Sequence, residues 1–212
     1  MNSVVIWPDE FEVSILEKRI LNFGGTTPTS WSCEICEYIS TQEKQNSQQL
    51  QRFYFSDSEG VYYLLTPTDQ ILFFDPLDNL LGSLGLKMTK RVAITGVEYQ
   101  LSDFIIRTGH VNINTRKGVY LEIVVPSFEY NFPEDGRGAK NLLQNLFDMI
   151  TTTNEKKLNP TIHYFELQQQ PTNNKENQER ELFSKQNSMG PYRKPISVRT
   201  IYNSLKDSGF IL

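Results

Sequence analysis

Residues 88–125 read MTKRVAITGVEYQLSDFIIRTGHVNINTRKGVYLEIVV. Three strands with short links are legible in them. The first runs from about Lys90 to Leu101, with Val92, Ile94 and Gly96 on one face and Ala93, Thr95 and Val97 on the other. The second runs from Phe104 to Ile113. Phe104, Ile106 and Thr108 alternate there with Ile105, Arg107 and Gly109. The third runs from Val119 to Val125. A period of two places one face of each strand in a core and the other nearer water. Ser102–Asp103 makes the first turn. Asn114 to Gly118 makes the second, with Gly118 expected to supply a positive φ. Consecutive strands joined this way form an antiparallel meander.

Composition agrees with a strand-rich chain. Its 212 residues include 13 Phe, 10 Tyr and 2 Trp, residues that suit pleated surfaces. Alanine occurs only at Ala93 and Ala139, too rarely for a helical protein. The net charge of −4 is unevenly spread: residues 1–86 carry −8 and residues 87–212 carry +4. Neither part has the dense basic face that duplex phosphates require, so direct DNA contact is not expected. Cys33 and Cys36 alone make no disulfide framework. The start, MNSVVIWPDEFEV, lacks a basic region before a long apolar run, so it does not read as a signal peptide. No stretch of about 18 apolar residues reads as a membrane span.

Ser3–Trp7 reads as a strand stopped by Pro8. Asp9 then opens a helix with Phe11, Ile15, Leu16, Ile20 and Phe23 at helical spacing, closed by Gly24–Gly25. Strands follow at Ser30–Ile39, Arg52–Phe55, Val61–Leu65 and Ile71–Phe74, then a short helix in LDNLLGSLGL. After the meander, Lys140–Ile150 is an amphipathic helix whose stripe is Leu142, Leu143, Leu146, Phe147 and Ile150. The segments 41–51 and 154–195 are polar and glutamine-rich. They read as insertions with too little apolar area to offset ordering entropy, apart from local packing by His163-Tyr164-Phe165. A final amphipathic helix spans 196–209. Runs of strands followed by helices indicate an α+β class. Seven or eight antiparallel strands suffice for an antiparallel β-barrel flanked by helices, formed by residues 1–212 as one domain.

Catalytic patterns are not found. Cys33 and Cys36, at i and i+3 on a strand, point to opposite faces, and no second pair completes a zinc set. His110 and His163 lie beside no nucleophile turn. Gly136 to Lys140 precedes a helix without phosphate-loop spacing. Glu122 is the one acid of its strand, so the alternating inward carboxylates of a triphosphate-cleaving barrel are not apparent. No catalytic, cofactor or metal residues are therefore assigned. In PSFEYNFP, Phe128, Tyr130 and Phe132 alternate with polar residues between two prolines and are candidates for partner binding.

Arg91, Gly96, Tyr99-Gln100, Asp103-Phe104, Gly109-x-Val111 and Gly118 followed by the apolar strand around Glu122 together resemble the Mediator subunit 20 family, the TATA-binding-related subunit of the head module. So do the helix KNLLQNLFDMI and, near the end, Ser188-Met189-Gly190-Pro191 with Tyr202. The resemblance implies a β-barrel related to Mediator subunit 18 and a heterodimer with that subunit. It also implies linkage through the C-terminal helix of subunit 8, and a nuclear, non-catalytic role bridging regulators to RNA polymerase II, with the TATA-binding protein as a further contact. Two other readings stand beside it. One is a tunnel-barrel phosphohydrolase-like enzyme. The other is a TATA-binding-protein-like DNA binder, suggested by the element order of residues 3–86 and opposed by their −8 charge.

Overall fold

The computed structural model describes residues 2–8, 11–40, 49–57, 61–66, 71–74, 81, 83–124, 137–157, 162–165 and 193–211. In chain order the elements are β1 (Asn2–Trp7), α1 (Val13–Asn22), β2 (Thr26–Ser40), β3 (Gln49–Phe55), β4 (Tyr62–Leu65), β5 (Ile71–Phe74), β6 (Leu86–Leu101), β7 (Phe104–Ile113), β8 (Arg116–Val124), α2 (Arg137–Ile150), α3 (Thr153–Lys157), β9 (Ile162–Phe165) and α4 (Arg193–Asp207). The strands form one sheet in the order β5-β4-β3-β2-β6-β7-β8-β1-β9, every pairing antiparallel. The class is α+β, and the expected barrel takes the form of a half-barrel. The sheet curls, β5 and β9 remain its edges, and α4 lies in the concavity touching β1, β9 and β4.

Alternation sorts the side chains into two cores. Val4, Ile6, Trp31, Cys33, Ile35, Phe53, Phe55, Val92, Ile94, Val111 and Tyr120 face the lumen, where they meet Val198, Ile201, Leu205 and Phe210 of the C-terminal segment. Val5, Trp7, Tyr99, Ile106, Val119, Leu121 and Ile123 face outward under α1 and α2. These helices contribute Val13, Leu16 and Ile20, and Leu143, Leu146, Phe147 and Ile150. A strand buried on both faces loses the polar side of its pattern, which is why β1 and most of β8 read as apolar runs.

Both meander turns are two residues long. Ser102 and Asn114 each take φ of 51°, a conformation that suits a two-residue hairpin. The expectation for Gly118 is therefore corrected. It lies inside β8, paired with Val111, and is absent from the left-handed residues. A Cβ there would stand 2.5 Å from the Trp7 carbonyl and 2.7 Å from the Phe210 ring, so close approach is what demands glycine.

The C-terminal helix touches β1 through small polar side chains four residues apart. Thr200 Oγ1 donates to Asn2 Oδ1 at 3.0 Å, Ser204 Oγ to the Val4 carbonyl at 3.3 Å, and Ser208 Oγ to the Ile6 carbonyl at 3.1 Å. Four helical residues rise about 6 Å and two strand residues about 6.7 Å, so the two periods stay in step over these contacts. The stretch 154–195, read as a polar insertion, contains β9, which pairs with β1 from Asn2↔Phe165 to Val5↔Ile162.

Candidate functional site: a charged row in the lumen

The register of the meander aligns Glu98 of β6, Arg107 of β7 and Glu122 of β8 in one row, each directly opposite the next. All three follow the lumen alternation. Arg107 Nε donates to Glu98 Oε2 at 2.8 Å, and its Nη1 to Glu122 Oε2 at 2.9 Å. Its Nη2 donates to Asp57 Oδ2 at 3.3 Å, just beyond β3. Glu122 also accepts from the Tyr120 hydroxyl at 3.0 Å and from Asn2 Nδ2 at 2.9 Å. Asn2 in turn accepts from Thr200 of α4, so the row is tied to the helix in the lumen.

Glu122 has no exposed side chain and Arg107 retains only 6% of its own, whereas Glu98 and Asp57 keep 20% and 33%. The site thus grades from a dry floor to a wetter rim. Burial works against the Arg107 charge, but Glu122, Glu98, Tyr120 and Asp57 outweigh it and hold the guanidinium protonated more firmly than a free one. Burial, and then the Glu122 charge, push the Tyr120 phenol and the Cys33 thiol well above their ordinary ranges.

A second row lies two residues along. Trp31, Gly96, Gly109 and Tyr120 face one another across β2, β6, β7 and β8. The two glycines leave the surface between the rings bare, and Trp31 stacks on Tyr120 with centroids 5.5 Å apart and planes at 14°. The Arg107 guanidinium lies 4.8 Å from the Trp31 ring centroid, a cation–π contact of the desolvated kind. Aromatic stack and ion cluster therefore share one wall.

The cluster opposes one cation with three carboxylates, and every nitrogen of the guanidinium is engaged. Among the described residues no group of three or more His, Cys, Asp or Glu is disposed to hold a metal ion. The arrangement couples strands electrostatically and fixes their register.

Glu122 is thus not the isolated acid its own strand suggests. It is the end of a three-strand row that reading each strand alone missed. Cys33 faces the lumen and Cys36 the opposite side, both as free thiols, with Cys36 Sγ 3.7 Å from Arg52 Nη2. His110 on β7 and His163 on β9 stand apart, with β8 and β1 between them. His163 Nε2 lies 2.9 Å from Asp207 Oδ2, an ion-pair distance without hydrogen-bond alignment. Phe128, Tyr130 and Phe132 lie outside the described residues.

No family model matches the sequence, and no curated protein matches it. Several solved structures are similar at low identity. A protein of Pyrococcus horikoshii OT3 is similar at 14% identity and a TM-score of 0.45, covering 73% of this chain and 93% of that one. The Schizosaccharomyces pombe Mediator head module is similar at 9% identity and 0.41, covering 69% and 92%. An RNA triphosphatase of S. pombe is similar at 8% identity and 0.35, covering 74% and 83%. Likenesses at these values carry no argument about family or activity.

Proposed function

We propose that the protein is a non-catalytic subunit of a nuclear transcription coactivator assembly of the Mediator head type. In this reading it pairs with subunit 18 and with the C-terminal helix of subunit 8, and it bridges regulators to RNA polymerase II. The observation that carries it is the lumen. Helix α4 and large aromatic rings occupy it, and its one described cluster of charges is paired within itself. A protein built so works through its outer surfaces. The subunit 20 resemblance of the meander supplies the identity of the partners. Affinity purification of the tagged protein from nuclear extract, with mass spectrometry, tests it. Co-purification of subunits 18 and 8 is expected, and a lone monomer without Mediator peptides would overturn it.

One observation favours a second reading, a tunnel-barrel phosphohydrolase-like enzyme. Asp57, Glu98 and Glu122 surround Arg107 at one end of the lumen, and acids and a basic side chain facing inward are part of what triphosphate cleavage needs, although among the described residues they are not disposed to hold a metal ion. Metal-dependent release of phosphate from a triphosphate, abolished by Glu122→Gln, would support this reading; inactivity with magnesium and manganese would remove it.

A further inference from the structure

On the convex side, an open cleft of about 550 Å³ separates the first turns of α1 from the outer surface of β6 and β7. Phe11, Glu12, Ser14 and Glu17 line one wall, His110 the other, and the backbone of the Gly96–Gly109 pair borders it. The chemistry of this cleft is unlike that of the charged row in the lumen, where three acids share Arg107. Among the described residues the Glu12 carboxylate accepts only from Ser14 Oγ, at 3.5 Å, and neither Glu12 nor Glu17 forms a salt bridge. Across from them, His110 Nδ1 is buried without a hydrogen-bond partner in the described structure. The Phe11 ring is held edge-on to Trp7, at 5.3 Å and 86°, so its place in the wall is fixed.

The first turn of α1 also contributes backbone N–H groups. A helix N-terminus carries roughly half a positive charge, against two full negative charges on Glu12 and Glu17, so the balance favours a cation. An ammonium would satisfy the carboxylates alone. A guanidinium can also lie flat against a phenyl ring and direct separate N–H groups to two carboxylates. We propose that this cleft receives an arginine side chain of a partner protein, held by Glu12 and Glu17 and packed on Phe11, with the His110 ring forming the opposite wall. The inference holds for any assembly that the chain joins.

The probe is N-acetyl-arginine amide, titrated into the isotopically labelled full chain and followed by NMR. Saturable shifts confined to residues 11–17, Gly96, Gly109 and His110 are expected, with a dissociation constant on the order of millimolar. Glu12→Gln/Glu17→Gln should weaken binding about tenfold, and Glu12→Gln alone about threefold. The citrulline analogue, equal in shape but uncharged, and the lysine analogue should both bind more weakly. Absence of saturation overturns the proposal. So does equal binding of the citrulline or lysine analogue, inorganic phosphate moving the same signals, or an unchanged affinity in a double variant whose remaining spectrum is native.

Discussion

Trp31 and Tyr120 stack in the lumen although two strands separate β2 from β8. They meet because Gly96 and Gly109, the residues between them in register, have no side chains to hold the rings apart. The backbone also draws in here. A Cβ on Gly96 would stand 1.8 Å from the Thr108 carbonyl oxygen, and one on Gly109 2.3 Å from that of Thr95. Gly96→Ala or Gly109→Ala must therefore part β6 from β7. A loss of about 3 kcal/mol or more is expected from each, read as a drop in the urea midpoint. A variant within about 0.5 kcal/mol of the parent would contradict this account.

Arg107 and Glu122 should behave as a buried pair. Arg107→Met leaves Glu122 with no cation and no exposure, at a cost of about 3–5 kcal/mol. Arg107→Met combined with Glu122→Gln removes both charges and should recover part of that loss. A double-mutant cycle by chemical denaturation reads the coupling, and simple additivity would mean that the two groups do not interact.

Acid sensitivity should reside in part at Glu155. This residue stands three positions after Thr152 and accepts from its backbone N–H at 2.7 Å and from its hydroxyl, a capping box for α3. It also pairs with Arg19 at 3.1 Å. Burial works against its charge, but these bonds outweigh it and lower the carboxyl below its ordinary 4.5. A depressed folded pKa stabilises above the unfolded value and loses that contribution as pH falls through the folded one. Glu155→Gln should thus lower stability at neutral pH and flatten its decline below pH 4.5. Parallel stability–pH curves for parent and variant would refute this.

The contact between α4 and β1 depends on small side chains. Ser204→Ala removes one hydrogen bond and should cost about 1 kcal/mol. Ser204→Leu must push the helix off the strand and should cost about 3 kcal/mol through overpacking. Calorimetry of the two variants should rank them in that order.

Thiol reactivity should follow burial. Cys33 is buried in the lumen and its thiol is raised well above 9.0, chiefly by burial. Cys36 is raised less clearly, also by burial first, with Arg52 acting against it. An aromatic disulfide reagent should modify neither at neutral pH until the protein unfolds, and Cys36 before Cys33 as denaturant rises. Rapid labelling of the native protein would count against the described packing.

Much of this fold was legible in residues 88–125. The alternation predicts three meander strands, and β6, β7 and β8 carry them. The charged row is implicit in the same residues, because two-residue turns at Ser102–Asp103 and Asn114–Thr115 bring 98, 107 and 122 into line. Taking the second connection as extending to Gly118 hides that register, and Glu122 then looks solitary. Asp57 and Asn2 could not be placed beside Arg107 from the sequence, since their approach depends on how β3 and β1 curl around the lumen. Strand β9 escaped because its four residues sit in a polar stretch of sequence, and its pairing with β1 is a tertiary choice rather than a local one.

Strand β1 is hemmed in by β8 on one side, β9 on the other and α4 across its inner face. These neighbours are encoded far downstream, and the Thr200–Asn2 bond spans 198 residues. During synthesis β1 has no strand partner until β8 has left the ribosome, and its inner face stays uncovered until α4 follows. The closing step of folding is therefore one of high contact order. A chaperone that holds the waiting β1 segment would cover an apolar strand over that interval.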